Sequence, residues 1–174
     1  QFDGIASNFP FIQQEDIPND VLTNFFRGEF QAQQQAFLKD KTFKINERSD
    51  YFTYCVYNSF RFLKDGGVLS IITSNAWLGK EYGFQFKKFL LDNFHIKYVV
   101  KSYAEHWFSD SQVSTVYAVF QKGANEEPTR FVTIDFKLKD YFSQDNTASQ
   151  IQQIEDFYTE IDNCDDTHNN KWNK

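Results

Sequence analysis

The 174 residues are 41% hydrophobic and carry 21 Phe and 9 Tyr against no Met, which supports one globular domain with a ring-filled core and excludes intrinsic disorder and a disulfide scaffold. The net charge of -6 excludes a strong, sequence-independent grip on nucleic acid by this segment, because neutralising phosphates takes clustered Lys and Arg. Cys55 and Cys164 stand far apart and away from His95, His106 and His168, so no zinc-ligand spacing exists; with no charged leader and no run of about 18 apolar residues, the default is a cytoplasmic protein with no membrane contact.

The chain starts at Gln1 and a strand-like run, Phe2 to Ser7, follows at once. This reads as a piece of a longer polypeptide that opens on a buried strand, with Asn8 and Pro10 turning it into a loop. Between Gln13 and Arg48 the pattern weakens. Val21, Leu22, Phe25 and Phe26 keep helical spacing, and Gln31 to Gln35 reads as a solvated stretch. Ser49 is placed to cap a helix whose apolar face is Phe52, Cys55, Val56, Phe60 and Leu63, which makes Cys55 a core residue. Asp65-Gly66-Gly67 breaks that pattern as a tight turn, and Val68 to Thr73 follows as a strand buried on both faces, so helix, turn and strand form a parallel crossover.

Tyr82, Phe86, Phe89 and Leu90 form a second helical stripe, followed by strands at Ile96 to Val100 and Ser114 to Phe120. Arg130 to Phe136 alternates well enough for a fifth strand or an edge. From Lys137 the chain reads as one amphipathic helix built on Ile151, Ile154, Phe157, Tyr158 and Ile161, and the run Asp162 to Asp166 reads as solvated.

Two segments carry chemistry. The first is Asp3-Gly4-Ile5-Ala6-Ser7-Asn8-Phe9-Pro10-Phe11-Ile12, which resembles the target-amine motif of adenine-N6 and cytosine-N4 methyltransferases, Asn-Pro-Pro followed by an aromatic. By itself the tetrapeptide is equally a strand ending in a proline turn with two rings packed inward. The second is Ala104-Glu105-His106-Trp107-Phe108 with Ser114-Thr115-Val116 and Phe120-Gln121-Lys122, similar to the late motif of the same enzymes; its alternative is a pair of rings, Trp107 and Phe108, plugging the end of a sheet. Between them Leu63 to Leu69, Asn75-Ala76-Trp77-Leu78, Tyr82-Gly83 and Phe89-Leu90-Leu91 look like the intervening scaffold. The likeness runs from about residue 2 to residue 122. It points to the adenine-N6-specific DNA methyltransferases of restriction-modification systems, the type II enzymes that combine restriction with methylation, and to the C-terminal part of their catalytic domain.

That resemblance implies an α/β architecture, the later half of a Rossmann-like S-adenosylmethionine-dependent methyltransferase fold. Its sheet is mostly parallel with one antiparallel strand, Ser114 to Phe120, and carries helices on both faces. Residues 1–122 form the partial catalytic domain and residues 123–174 a strand and helix extension with a polar tail. In the family's chemistry an exocyclic amine is a poor nucleophile while its lone pair is delocalised into the ring, and two acceptors gripping its hydrogens free that lone pair. The resemblance gives these roles to the side-chain oxygen of Asn8 and the carbonyl of Phe9. Phe11 and Phe108 then stack on opposite faces of the extruded base, and a pocket for one base would show them facing across about 7 Å. Phe9 stands where a proline is usual, so Pro10 alone biases the backbone of residue 9 toward extended geometry.

The family's cofactor, S-adenosylmethionine, belongs to the intact enzyme. Its Gly-rich loop and acidic ribose partner have no counterpart in this chain, and Asp65-Gly66-Gly67 precedes a strand instead of opening a helix, so none is expected bound to the chain alone. Implied partners are double-stranded DNA, the remainder of the methyltransferase domain, a target-recognition region, and a second copy through an exposed sheet edge. His106 reads as a surface histidine, and Lys87, Lys88, Lys97 and Lys101 as solvent-facing, with phosphate contact the alternative. Two rival functions stay open, a non-catalytic interaction module and a methyltransferase for another planar amine such as cytosine, an RNA base or glutamine.

Overall fold

The computed structural model describes residues 1–23, 30–38, 40–108, 113–124, 127–142, 147–164 and 172–173, with no side-chain description at 34, 172 and 173. Phe25 and Phe26 of the early helical pattern lie outside the described residues. The elements are β1 (Phe2–Asn8), α1 (Gln31–Phe37), α2 (Tyr51–Phe62), β2 (Leu63–Ser74), α3 (Ala76–Gly79), α4 (Gly83–Asn93), β3 (Phe94–Ser102), β4 (Thr115–Lys122), β5 (Arg130–Ile134), α5 (Leu138–Tyr141), α6 (Thr147–Asp162) and a two-residue β6 (Trp172–Asn173).

The strands lie in the order β1-β2-β4-β3-β5-β6. β1 runs parallel to β2 and β3 parallel to β5, whereas β4 runs antiparallel to both β2 and β3. Four long strands therefore share one direction and β4 is inserted against them, as the family likeness implies. β6 is a second reversed strand, on β5, so Arg130–Ile134 is a fifth strand of the same sheet rather than its edge.

One face of the sheet is closed by α2 and α4. Phe52, Val56 and Phe60 from α2 and Phe86, Phe89 and Leu90 from α4 join Leu69, Ile71, Phe94 and Phe120 in one buried cluster. Rings dominate it, meeting edge to face: Tyr57 with Phe89 at 4.7 Å, Trp77 with Phe86 at 5.5 Å, Phe60 with Phe94 at 5.5 Å. That geometry sets the positive edge of one ring against the negative face of the next. The opposite face holds a smaller cluster, Tyr98, Val100, Val119, Val132 and Ile134 under Phe157 and Ile161 of α6, so helices do cover both faces.

Several sequence expectations are corrected. β1 is not buried. Phe2 is 59% exposed, and Gly4, Ala6 and Asn8 are exposed as well, because the strand pairs with β2 on one side and no described strand covers the other. β2 is buried on one face, by Leu69, Ile71 and Thr73, and only half covered on the other, at Val68, Ser70, Ile72 and Ser74. Asp65-Gly66-Gly67 is no tight turn: α2 passes directly into β2, and the register jump from Phe2↔Leu63 to Gly4↔Val68 makes these residues a bulge, with Gly66 at φ +78° where a side chain would be strained. Asp50, not Ser49, is the residue preceding the first turn of α2, and it makes no side-chain cap. Cys55 is only half-buried, and desolvation pushes its thiol up to about 11. The C-terminal helix is two helices, and Ile151 (53%) and Ile154 (46%) are exposed, so its buried stripe is the narrower pair Phe157 and Ile161. Asp162 is not simply solvated, since it accepts a hydrogen bond from the Tyr98 hydroxyl (2.6 Å) and faces Arg130 at 3.5 Å. Asp165 and Asp166 lie outside the described residues.

Candidate active site

Asn8 is the last residue of β1 and sits opposite Ile72 of β2. Strand partners share a face, so register carries Asn8 to the side of the sheet that also presents Ile72 and Tyr117. Its side chain is exposed. Phe9 follows with its ring half-buried against the main core, which gives a packing use to the residue standing in place of proline. Pro10 is exposed and Phe11 half-buried.

The loop after Phe11 is fastened from downstream. The Tyr51 N–H donates to the Ile12 carbonyl at 3.0 Å, and the Gln14 N–H donates to Asp50 Oδ1 at 3.3 Å. The other oxygen of that buried carboxylate, Oδ2, accepts from the Tyr82 hydroxyl at 2.6 Å. Burial first, and the Asp50 acceptor second, hold the Tyr82 phenol far above its ordinary range, so it remains a donor at every working pH. Sequence reasoning missed Asp50 and the hydroxyl of Tyr82. The available signal was an Asp directly before the first residue of α2, the position given instead to Ser49.

Phe108 reaches this loop from the segment between β3 and β4. Its ring meets Phe11 with centroids 5.5 Å apart and planes at 73°. The two rings are thus brought together, but edge to face and in contact, without the 7 Å gap of a base sandwich. Behind Phe108, on the Asn8 face of the sheet, lies an apolar cavity of about 490 Å³ lined by Ile72, Val100, Tyr117, Ile134 and Phe157. A polar pocket of about 330 Å³ opens at the carboxyl ends of β2 and β3, with Asn75, Lys101, Ser102, His106, Trp107 and Thr115 in its wall. His106 is exposed, as expected. Among the described residues no three His, Cys, Asp or Glu side chains gather as metal ligands, and no helix is long and apolar enough to cross a membrane.

Among the described residues, Gly83 opens a helix, at the start of α4 and directly after α3. It does not cradle a cofactor: a Cβ there would lie 1.8 Å from the Trp77 carbonyl oxygen, so its open side is filled by the backbone of α3. The described residues therefore do not fit a nucleoside-binding loop of the Gly-rich kind.

The family described as Eco57I restriction-modification methylase matches residues 1–108. A curated relative, Type II methyltransferase M.BstVI of Geobacillus stearothermophilus, is 22% identical over 134 residues, which is 76% of this chain and 22% of the relative. Among solved structures, the type IIG restriction endonuclease BpuSI aligns over 95% of this chain and 17% of its own, with TM-score 0.63 and 15% identity. A Listeria monocytogenes protein described as a class I S-adenosylmethionine-dependent methyltransferase aligns over 92% of this chain and 42% of its own, with TM-score 0.53 and 16% identity. These structural likenesses establish the fold, and the chain spans about a fifth of the curated relative's length.

Proposed function

This chain belongs to the Eco57I restriction-modification methylase family, and from that premise we propose that it is the acceptor-holding part of an adenine-N6 DNA methyltransferase. The observation that carries the reading is the contact of Phe11 with Phe108 beside Asn8, at the carboxyl end of a strand where α/β sheets gather their ligands.

In this reading the target adenine leaves the duplex and lies between the two rings after they part. Asn8 Oδ1 and the Phe9 carbonyl accept the two amine hydrogens, drawing the nitrogen toward a tetrahedral form whose lone pair points out of the ring plane. S-adenosylmethionine, held by the rest of the intact enzyme, supplies the methyl group. No base is required before transfer, because the proton becomes acidic only on the product nitrogen, and exposed His106 keeps no catalytic assignment. Double-stranded DNA, a target-recognition region and the remainder of the methyltransferase domain are the partners. The last of these covers the open edge of β1, an edge through which isolated copies would otherwise pair.

The test is methyl transfer by the intact enzyme to duplexes offering adenine or cytosine at the target, with the product base identified by mass. N6-methyladenine is expected, with its formation lost in Asn8→Ala. Full-rate transfer by Asn8→Ala, or methylcytosine as the product, would overturn the assignment. The closed ring pair favours a second reading, a non-catalytic assembly module, and an intact enzyme that binds DNA yet methylates no acceptor would establish it.

A further inference from the structure

The four lysines read from sequence as solvent-facing have different fates in the structure. Lys87 donates to the Leu78 carbonyl at 2.9 Å and Lys88 pairs with Asp92. Lys97 lies half-buried within β3. Lys101 is different: it lines the polar pocket at the carboxyl end of β3, with its ammonium 4.2 Å from the centre of the Tyr103 ring.

The same pocket is rich in donors. Ser102, Ser114 and Thr115 bring hydroxyls and Asn75 an amide. Ser102 Oγ accepts from the Glu105 N–H at 3.1 Å and keeps its own hydrogen to donate. Glu105 brings one carboxylate to the same wall, its Oε1 accepting from the Leu138 N–H at 2.8 Å. Lys101 with the surrounding hydroxyl and amide donors is the chemistry that receives an anion with several oxygens, set against the one carboxylate of Glu105.

Position narrows the anion. The segment from Lys101 to Trp107 that forms the pocket wall runs directly into Phe108, and His106 and Trp107 line both this pocket and the apolar cavity behind the Phe108 ring. An anion here is an immediate neighbour of whatever lies between Phe11 and Phe108. We propose that the pocket receives the phosphodiester adjoining the extruded nucleotide, with Lys101 as its counter-charge and the Ser102 and Thr115 hydroxyls around it. This rests on the reading of Asn8 and Phe11 as the base-holding loop. The pocket would position the strand and carry no sequence information.

The experiment uses the intact enzyme and a duplex containing its target. Equilibrium binding is measured against salt for wild type, Lys101→Ala, Lys101→Arg and, as a control on an exposed lysine remote in sequence from the pocket, Lys44→Ala. Thermal melts confirm that each variant is folded. Loss of one phosphate contact lowers the slope of log K against log salt by about 0.9, expected in Lys101→Ala, restored in Lys101→Arg and absent in Lys44→Ala. A second arm replaces the single phosphodiester beside the target by an uncharged methylphosphonate. This should weaken wild-type binding on the order of tenfold and have no further effect in Lys101→Ala. An unchanged slope in folded Lys101→Ala, or equal methylphosphonate losses in wild type and variant, would refute the proposal. Saturable quenching of tryptophan fluorescence by inorganic phosphate with no methylphosphonate effect would assign the pocket to a free anion and also refute it. Asn8→Ala separates the two claims: it should remove methylation while leaving the salt slope intact, and full methylation there would sink the base-holding reading whatever Lys101 does.

Discussion

Truncating Phe108 tests the ring pair most directly. In the closed state Phe108 and Phe11 touch edge to face at 5.5 Å and 73°, a contact that contributes about 0.5–1.5 kcal/mol beyond its area burial. Admitting a base means parting the rings to about 7 Å, one stacking distance on either side of the purine, which forfeits that contact. In return each ring gains a stacked base, about 1–3 kcal/mol per face. Phe108→Ala removes one stacking partner but also the contact that must be broken first. The net loss is the difference, on the order of 1 kcal/mol, or about fivefold in kcat/KM. A calculation that ignored the closed pair would expect about 2 kcal/mol and a loss of about thirtyfold. Single-turnover methylation by the intact enzyme, with 2-aminopurine fluorescence at the target position to report extrusion, reads both quantities. Phe108→Tyr, which keeps the stacking face, should stay near wild type. A Phe108→Ala enzyme that extrudes and methylates at the wild-type rate would refute the sandwich.

Three further outcomes follow from contacts already described. Gly83→Ala should fail to fold or lose about 3 kcal/mol or more in a thermal melt, since the new Cβ would lie 1.8 Å from a backbone oxygen that cannot swing away; a wild-type melting temperature would show that α3 and α4 separate freely. Tyr82→Phe removes the 2.6 Å donor to the buried Asp50 carboxylate and should cost about 1.5–3 kcal/mol in urea unfolding, with a change under about 0.5 kcal/mol counting against the clamp. Burial and the acceptors Asp162 and Glu160 push the Tyr98 and Tyr141 phenols up to about 12. Folded pKa values above the unfolded value near 10 mean that the folded state holds its protons longer, so stability is fully present below about pH 10 and declines through pH 10–12. Urea midpoints should fall in that window, and less steeply in Tyr98→Phe with Tyr141→Phe; a decline beginning at pH 8 would contradict the assignment.

Much of this was legible in the residues because periodicity survives wherever packing is one-sided. Tyr82, Phe86, Phe89 and Leu90 are all buried, as their spacing predicts, and the apolar run at Ile96 to Val100 falls within β3, while all of the run Ser114 to Phe120 except Ser114 falls within β4. The direction of β4 came only with the family likeness, since spacing carries no information about which way a strand runs. Burial misled at β1, where a short apolar run has the composition of a central strand but no described strand lies on its far side. It misled again at Ile151 and Ile154, where helical spacing continues past the point at which α6 still meets the sheet. The residues of the proposed base-holding loop stood out through the family likeness. Asp50 did not, because a carboxylate ahead of a helix looks the same whether it caps that helix or reaches a loop 36 residues away in sequence.

That last contact decides how the acceptor loop is held. β1 is a poor foundation for the proposed site, in which two oxygens would be placed within a fraction of an ångström: it is exposed over most of its length and pairs on one side among the described residues. The loop that leaves it is instead tied on its far side, through Ile12 to Tyr51, Gln14 to Asp50, and Asp50 to Tyr82, onto helices whose rings pack in the main core. The Phe9 ring anchors the near side against the same cluster. If Asn8 and Phe9 hold the amine as proposed, α2 and α4 would place their oxygens more firmly than the edge of β1 does. Loosening the open edge should then alter how the two halves meet while leaving Phe11 and Phe108 in register, whereas loosening Asp50 should misplace the acceptors even in a fully assembled enzyme.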